Sequence, residues 1–177
     1  LELLAGIPSV VYGFWGMVVI VPLLREVVGG RGFSIAAAAV VLAVMILPTI
    51  ISISAEALSS VPREYREGSL ALGASRWQTI RHVVLPAARS GIIAAAALGL
   101  GRSIGETMAV LMVAGNVTAF PSSIFDPVRT LTATIALEMG YAAGDHAHAL
   151  FACGAILFTM VMAINLSVNL LARKGGK

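Results

Sequence analysis

Arg102 and Glu106 are the only ionisable side chains between Ser90 and Gly115, a stretch otherwise made of apolar and small polar residues. Residues four apart are neighbours on one helical face, so Glu106 can hold the Arg102 guanidinium until an anion arrives. A guanidinium offers planar, paired donors to phosphate oxygens and is never deprotonated in practice. Ionised groups at membrane depth usually face a bundle interior or an aqueous cavity. The expected chemistry is transient anion contact, with Arg102 as ligand and Glu106 as its resting partner. A structural ion pair that only fixes helix packing is the alternative.

Other reactive residue types point nowhere comparable. His146 and His148 are two apart and do not share a helix face, so metal binding is not expected. An interfacial position suits them better. His82 falls in a polar loop, and Cys153 reads as a small core residue. One cysteine excludes a disulfide framework, and no Cys/His spacing resembles a zinc site. There is no G-x-x-x-x-G-K-[ST], and GLGRSIG lies within an apolar run instead of following a strand. No nucleophile, base and oxyanion set can be assembled. The chain is therefore expected to be no enzyme, to hold no cofactor, and to draw energy from a separate chain.

The elements that must position Arg102 follow from where charge is missing. Of 177 residues, 58% are hydrophobic and 12% charged, against about 25% charged in ordinary soluble domains. The runs Leu3 to Leu24, Phe33 to Ala55 and Ala147 to Ala172 are uncharged, each long enough for the ~20 residues that cross a bilayer. A fourth lies over about 87–115. We expect one domain, 1–177, with spans at about 3–24, 33–55, 87–115 and 147–172 and a loop at 56–86. The chain opens at Leu1 with no Met and no basic region, and reads as the C-terminal part of something longer.

Basic residues near helix ends are retained on the cytoplasmic side. The 56–89 stretch carries Arg63, Arg66, Arg76, Arg81 and Arg89, and the tail carries Arg173, Lys174 and Lys177. The opposite side has only Arg25, Arg31 and Arg129. The loop and both ends of the chain are thus expected in the cytoplasm. Outside, Gly29, Gly30 and Gly32 mark a short turn. Pro121 and Pro127 mark a loop before a re-entrant or surface helix from about Thr130. Asp126, Arg129, Glu138 and Asp145 there read as solvated charges, with contact to a periplasmic protein as the alternative. Pro8, Pro22 and Pro48 imply kinked helices. Gly101 and Gly105 share a face that would let another helix approach closely.

The loop itself has internal punctuation. Pro62 suits a first helical position, and Gly73 suits a helix C-terminus that needs positive φ. Ser75 with Gln78 three residues on is a capping box, so a second helix should start near Arg76. Pro86 marks the boundary to the next span.

Within it, Glu67-Gly68-Ser69, then Gly73, then Val83-Val84-Leu85-Pro86 resembles the EAA motif of ABC importer permeases, E-A-A-x3-G-x9-I-x-L-P. Gly68 and Ser69 stand for the two alanines and Val83 for isoleucine. In that family the loop is the coupling helix docked on a cytoplasmic ATPase, which would give Glu67, Gly68, Ser69, Gly73, Val83, Leu85 and Pro86 that role. An amphipathic helix resting on anionic lipid through Arg63, Arg66, Arg76 and Arg81 is the competing reading. ELLAGIPSVVYGFWG from Glu2 and GRSIGETMAVLMVAGN from Gly101 further resemble the PstC permeases of phosphate importers. That resemblance implies an all-α membrane fold of the MetI-like, type I importer kind. The family has six membrane helices, of which this chain would hold the last four.

The resemblance also implies an inner-membrane assembly with a PstA-like permease, a dimer of PstB-like ATPases that binds the ATP, and a periplasmic phosphate-binding protein. Transport would proceed by alternating access. A permease for tungstate or molybdate, or a non-conducting sensory subunit, are the alternatives in function.

Overall fold

The computed structural model describes residues 6–174, with side chains up to Ser167. Leu3 to Ala5 of the first expected span, Glu2, and Lys177 of the basic tail lie outside the described residues. Among the described residues eight helices follow in order: α1 Ser9–Val28, α2 Ile35–Ser59, α3 Arg63–Ala71, α4 Arg76–Ala87, α5 Arg89–Ile104, α6 Met108–Val113, α7 Leu131–Glu138 and α8 Asp145–Lys174. Among the described residues the only β pairing is a single bridge between Gly115 and Val128.

Helices α1, α2 and α8 are each long and apolar enough to cross a membrane, and α4 with α5 forms a further bent pair. The sixteen residues of α5 make a rod about 24 Å long, short of a ~30 Å hydrocarbon core. A 65° bend at Ala88 joins it to α4. The expected unbroken helix over 87–115 is therefore corrected at both ends. It starts at Arg89, and it stops at Ile104 before α6 begins at Met108.

Small residues set the packing. A Cβ on Gly13 would lie 2.8 Å from the Ala109 Cα, and one on Gly16 2.4 Å from Val41 Cγ2. Helices α1, α2 and α6 consequently meet almost backbone to backbone, burying Val41, Met45, Ala109, Val110 and Val113. Gly91 against Ala57 and Gly99 against Ile50 bring α5 equally close to α2. Small surfaces of this kind are how helices associate where lipid competes for apolar contact. Gly101 and Gly105 do not take part: a Cβ on either would meet nothing nearer than 3.8 Å. The π-helical section Gly16–Ile20 and the residue Pro22 place irregular backbone in α1, and Pro48 is buried inside α2.

The start of α2 is closed by the distant loop. Ser34 Oγ accepts from Ala37 N–H, while the N–H groups of Ser34, Ile35 and Ala36 donate to the carbonyls of Val113, Asp126 and Ile124. These are the donors a helix start leaves without intrahelical partners.

Candidate functional site

Two features stand near opposite ends of α2. The first is the elbow made by α3 and α4. Pro62 precedes α3 as its N-cap residue, one position before the expected one. At the other end Gly73 has φ +86°, its N–H donates to Leu70 O, and Ala74 N–H donates to Ser69 O. That pair of bonds is a Schellman motif, closed by the one residue type that takes this φ without strain. Ser75 and Gln78 then form the expected capping box at the start of α4.

Two contacts hold the elbow to the bundle, and a third joins its own two helices. Arg66 Nη2 donates to the Leu58 carbonyl at 2.7 Å, at the C-terminal end of α2 where a cation is favoured. The hydroxyls of Ser69 and Thr79 are 3.0 Å apart. Val61, Val84 and Ala88 bury one another against Leu58 and Ile92. Ser69 therefore faces α4 within the elbow and Val84 faces the bundle, while Leu85 and Pro86 are exposed.

Glu67 is exposed and makes no hydrogen bond or ion pair among the described residues. Above Gly68 the space is open, with nothing within 4 Å of a built Cβ. Leu72 at 90% exposure and Trp77 at 68% project outward. Large apolar groups at that exposure beside an unpaired carboxylate suit a protein surface better than water. Leu72, Trp77 and Thr79 were not among the residues expected to matter, although a Trp in an otherwise polar loop was a visible signal, and Arg66 was expected only as a cation that could rest on lipid.

The second feature is the break between α5 and α6. Arg102 lies in the last turn of α5, exposed and without an ion-pair partner among the described residues. Glu106 does not pair with it. The helix ends at Ile104, so the one-turn spacing that would bring the two together is lost. Instead Ala109 N–H donates to Glu106 Oε1 at 3.1 Å, Glu106 N–H donates to Ser103 O, and Thr132 Oγ1 donates to the Glu106 carbonyl at 3.3 Å. Glu106 thus closes the start of α6. It also lines a mostly apolar cavity of about 340 Å³ with Ser103, Thr130, Thr132, Val110 and Leu157.

Beyond the break, Asp126, Arg129 and Glu138, expected to be solvated, are instead organised, while Asp145 is exposed as expected. Arg129 Nη1 meets Glu138 Oε1 at 2.5 Å, and His146 Nε2 lies 2.8 Å from Glu138 Oε2. The His146 hydrogen bond, then the Arg129 charge, hold the Glu138 carboxyl below its ordinary range against the opposing effect of burial. Asp126 is lowered too, because Ser122 N–H, Ser122 Oγ and Ser123 N–H all donate to its Oδ2. No group of metal-ligating side chains occurs among the described residues.

Apolar spanning helices, a two-helix elbow hung from one end, and a helix interrupted beside an arginine are the parts expected of an ABC importer permease domain. The chain belongs to the family of binding-protein-dependent transport system inner membrane components, whose model matches residues 1–174. Among its relatives, the Bacillus subtilis chain named "Probable ABC transporter permease protein YqgH" is 47% identical over 177 residues, covering 98% of this chain and 57% of that one. The phosphate transport system permease protein PstC of Haemophilus influenzae is 37% identical, covering 93% and 60%. PstC 1 of Mycobacterium tuberculosis is 39% identical, covering 98% and 57%. The chain thus spans less than two thirds of the length of these relatives. A chain of the MetNI methionine ABC transporter in its inward-facing conformations superposes with a TM-score of 0.73 at 25% identity, covering 98% of this chain and 71% of that one. The MetI-like permease fold that the family resemblance implied is the one observed.

Proposed function

We propose that this chain is a permease subunit of an ATP-driven phosphate importer, lining part of the translocation path across a bacterial inner membrane. Likeness to the PstC relatives supports phosphate. The observation that carries the mechanism is the exposed Arg102, unpaired among the described residues at the end of α5. A phosphate oxygen pair meeting its guanidinium gains two parallel charge-assisted hydrogen bonds, with nothing to displace first. Glu106 stays apart from Arg102, engaged with Ala109 N–H at the start of α6.

The elbow, with both chain ends, faces the cytoplasm. There Glu67, Leu72 and Trp77 meet a PstB-like ATPase dimer, which binds the ATP; this chain holds no cofactor. A PstA-like permease completes the path and a periplasmic phosphate-binding protein delivers the anion. Because Arg66 and the Val84 cluster tie the elbow to α2 and α5, its displacement reaches Arg102 along the length of α5.

The experiment is uptake of radiolabelled phosphate into vesicles holding the full-length permease and its partners. The expected result is ATP-dependent uptake that unlabelled phosphate suppresses and that tungstate and molybdate leave intact. Suppression by either at lower concentration than phosphate reassigns the anion. Equal uptake without this chain makes it a non-conducting subunit.

A further inference from the structure

The reading above leaves Arg129, Glu138 and His146 unused, yet they join three separate segments at the end of the bundle opposite the elbow. Arg129 Nε donates to the Asn116 carbonyl at 3.1 Å while its Nη1 meets Glu138. Arg129 thereby links the chain leaving α6 to the far end of α7. Through its second oxygen Glu138 reaches His146 in the first turn of α8. A carboxylate only accepts, so the Nε2 of His146 carries the proton in this contact.

The segment so fastened has a place of its own. Thr130, Leu131 and Thr132, at the start of α7, line the cavity that also holds Glu106, and Thr132 Oγ1 is bonded to the Glu106 carbonyl. Thr130 caps α7 by accepting from Ala133 N–H, and Ala133 is fully buried. Whatever holds the end of α7 therefore holds the wall of the Glu106 cavity.

We propose that Arg129, Glu138 and His146 are a clasp, tightened by protonation of His146, that keeps α7 closed over the Glu106 cavity. Histidine is the side chain type whose unperturbed charge change lies between about pH 5 and about pH 8. On charging, its bond to the ionised Glu138 becomes an ion pair, which adds Coulomb attraction between two opposite charges to a bond the carboxylate already assists. The other groups around His146 are the Tyr141 ring, 6.1 Å between centroids, the neighbouring Asp145, and Arg129 across the carboxylate. Asp145 is occupied at 3.9 Å by His148 and both are exposed, so Glu138 is the carboxylate that His146 meets. As transport gating the clasp rests on the proposed anion contact at the α5–α6 break; as a pH-dependent contact it does not.

The test is hydrogen exchange of the peptide 131–138 in the full-length transporter in detergent, corrected for intrinsic rates. In the wild type, protection rises about threefold on going from about pH 7.5 to about pH 5.5, within the range of a part-exposed ion pair. The rise vanishes in His146→Gln, which keeps a donor but cannot be charged. His146→Lys, charged at both pH values, holds the higher protection throughout, and Glu138→Gln lowers it at both. A rise that persists in His146→Gln, or an acid-induced gain in His146→Lys, overturns the clasp. Failure of the anion-path reading would show separately, as phosphate uptake retained in Arg102→Gln with the exchange pattern unchanged.

Discussion

The elbow and the break both interrupt helix, but they are closed by different kinds of neighbour. In the elbow each helix end is satisfied by residues no more than five positions away: Leu70 and Ser69 for Gly73 and Ala74, Gln78 for Ser75. At the break, Thr132 comes from 26 positions along the chain to bond Glu106, and α6 is held in place by Gly13 and Gly16 of α1. The elbow is a local structure that the bundle carries. The break exists only because the bundle is assembled. A part that must move as a unit against a partner is well served by the first design. A part whose neighbours must change during transport is served by the second.

Substitutions can break that contrast. The largest effect is expected for Gly16→Leu, which forces atoms into the space of Val41 and Val113. Overpacking of this kind costs about 3 kcal/mol, and thermal unfolding of the detergent-solubilised transporter should show it as a global loss. Gly73→Val comes next. Nothing lies within 4 Å of its Cβ, so the penalty is backbone strain of about 2 kcal/mol at positive φ. It should appear as protease sensitivity confined to the elbow while the bundle melts as before. Thr132→Val removes the bond to Glu106 and should cost about 1 kcal/mol, read as faster hydrogen exchange at α6 and α7 with the elbow unaffected. The smallest change is Gly68→Ala, which sits in open helix and should raise elbow stability by about 0.5 kcal/mol. A Gly68→Ala chain that melts unchanged yet loses the ATPase would show that the partner, not the fold, needs the bare backbone.

Acid should separate the two ends as well. Asp126, whose carbonyl helps close the start of α2, has its carboxyl held below the ordinary value by Ser122 and Ser123. A depressed carboxyl stabilises above its unfolded value and loses that contribution as pH falls through the folded one. Protease sensitivity of 116–130 should therefore increase only below the usual aspartate range, and Asp126→Asn should flatten the profile while the elbow stays indifferent.

How much of this was legible follows from the same contrast. The apolar runs, Gly73 at positive φ and the Ser75–Gln78 box could be read directly, since each rests on residues adjacent in sequence. The helix over 87–115 looked continuous because Gly105, Glu106 and Thr107 fit an apolar helical run. What stops it is a Glu106 side chain turned to Ala109 N–H and a threonine from α7. The pairing of Arg129, Glu138 and His146 spans nine and eight positions, so no local spacing rule joins them. Gly101 and Gly105 matched a close-packing pattern, but the positions used are Gly13, Gly16, Gly91 and Gly99, chosen by which faces the long helices turn to one another.

The central claim is that Arg102 meets the transported anion. Phosphate uptake by vesicles carrying Arg102→Gln in the assembled transporter tests it most directly. A fall of at least about a hundredfold, with the ATPase still co-purifying in full amount, is the result expected. Uptake at the wild-type rate would contradict it, and loss of the ATPase together with uptake would make Arg102 a packing residue instead.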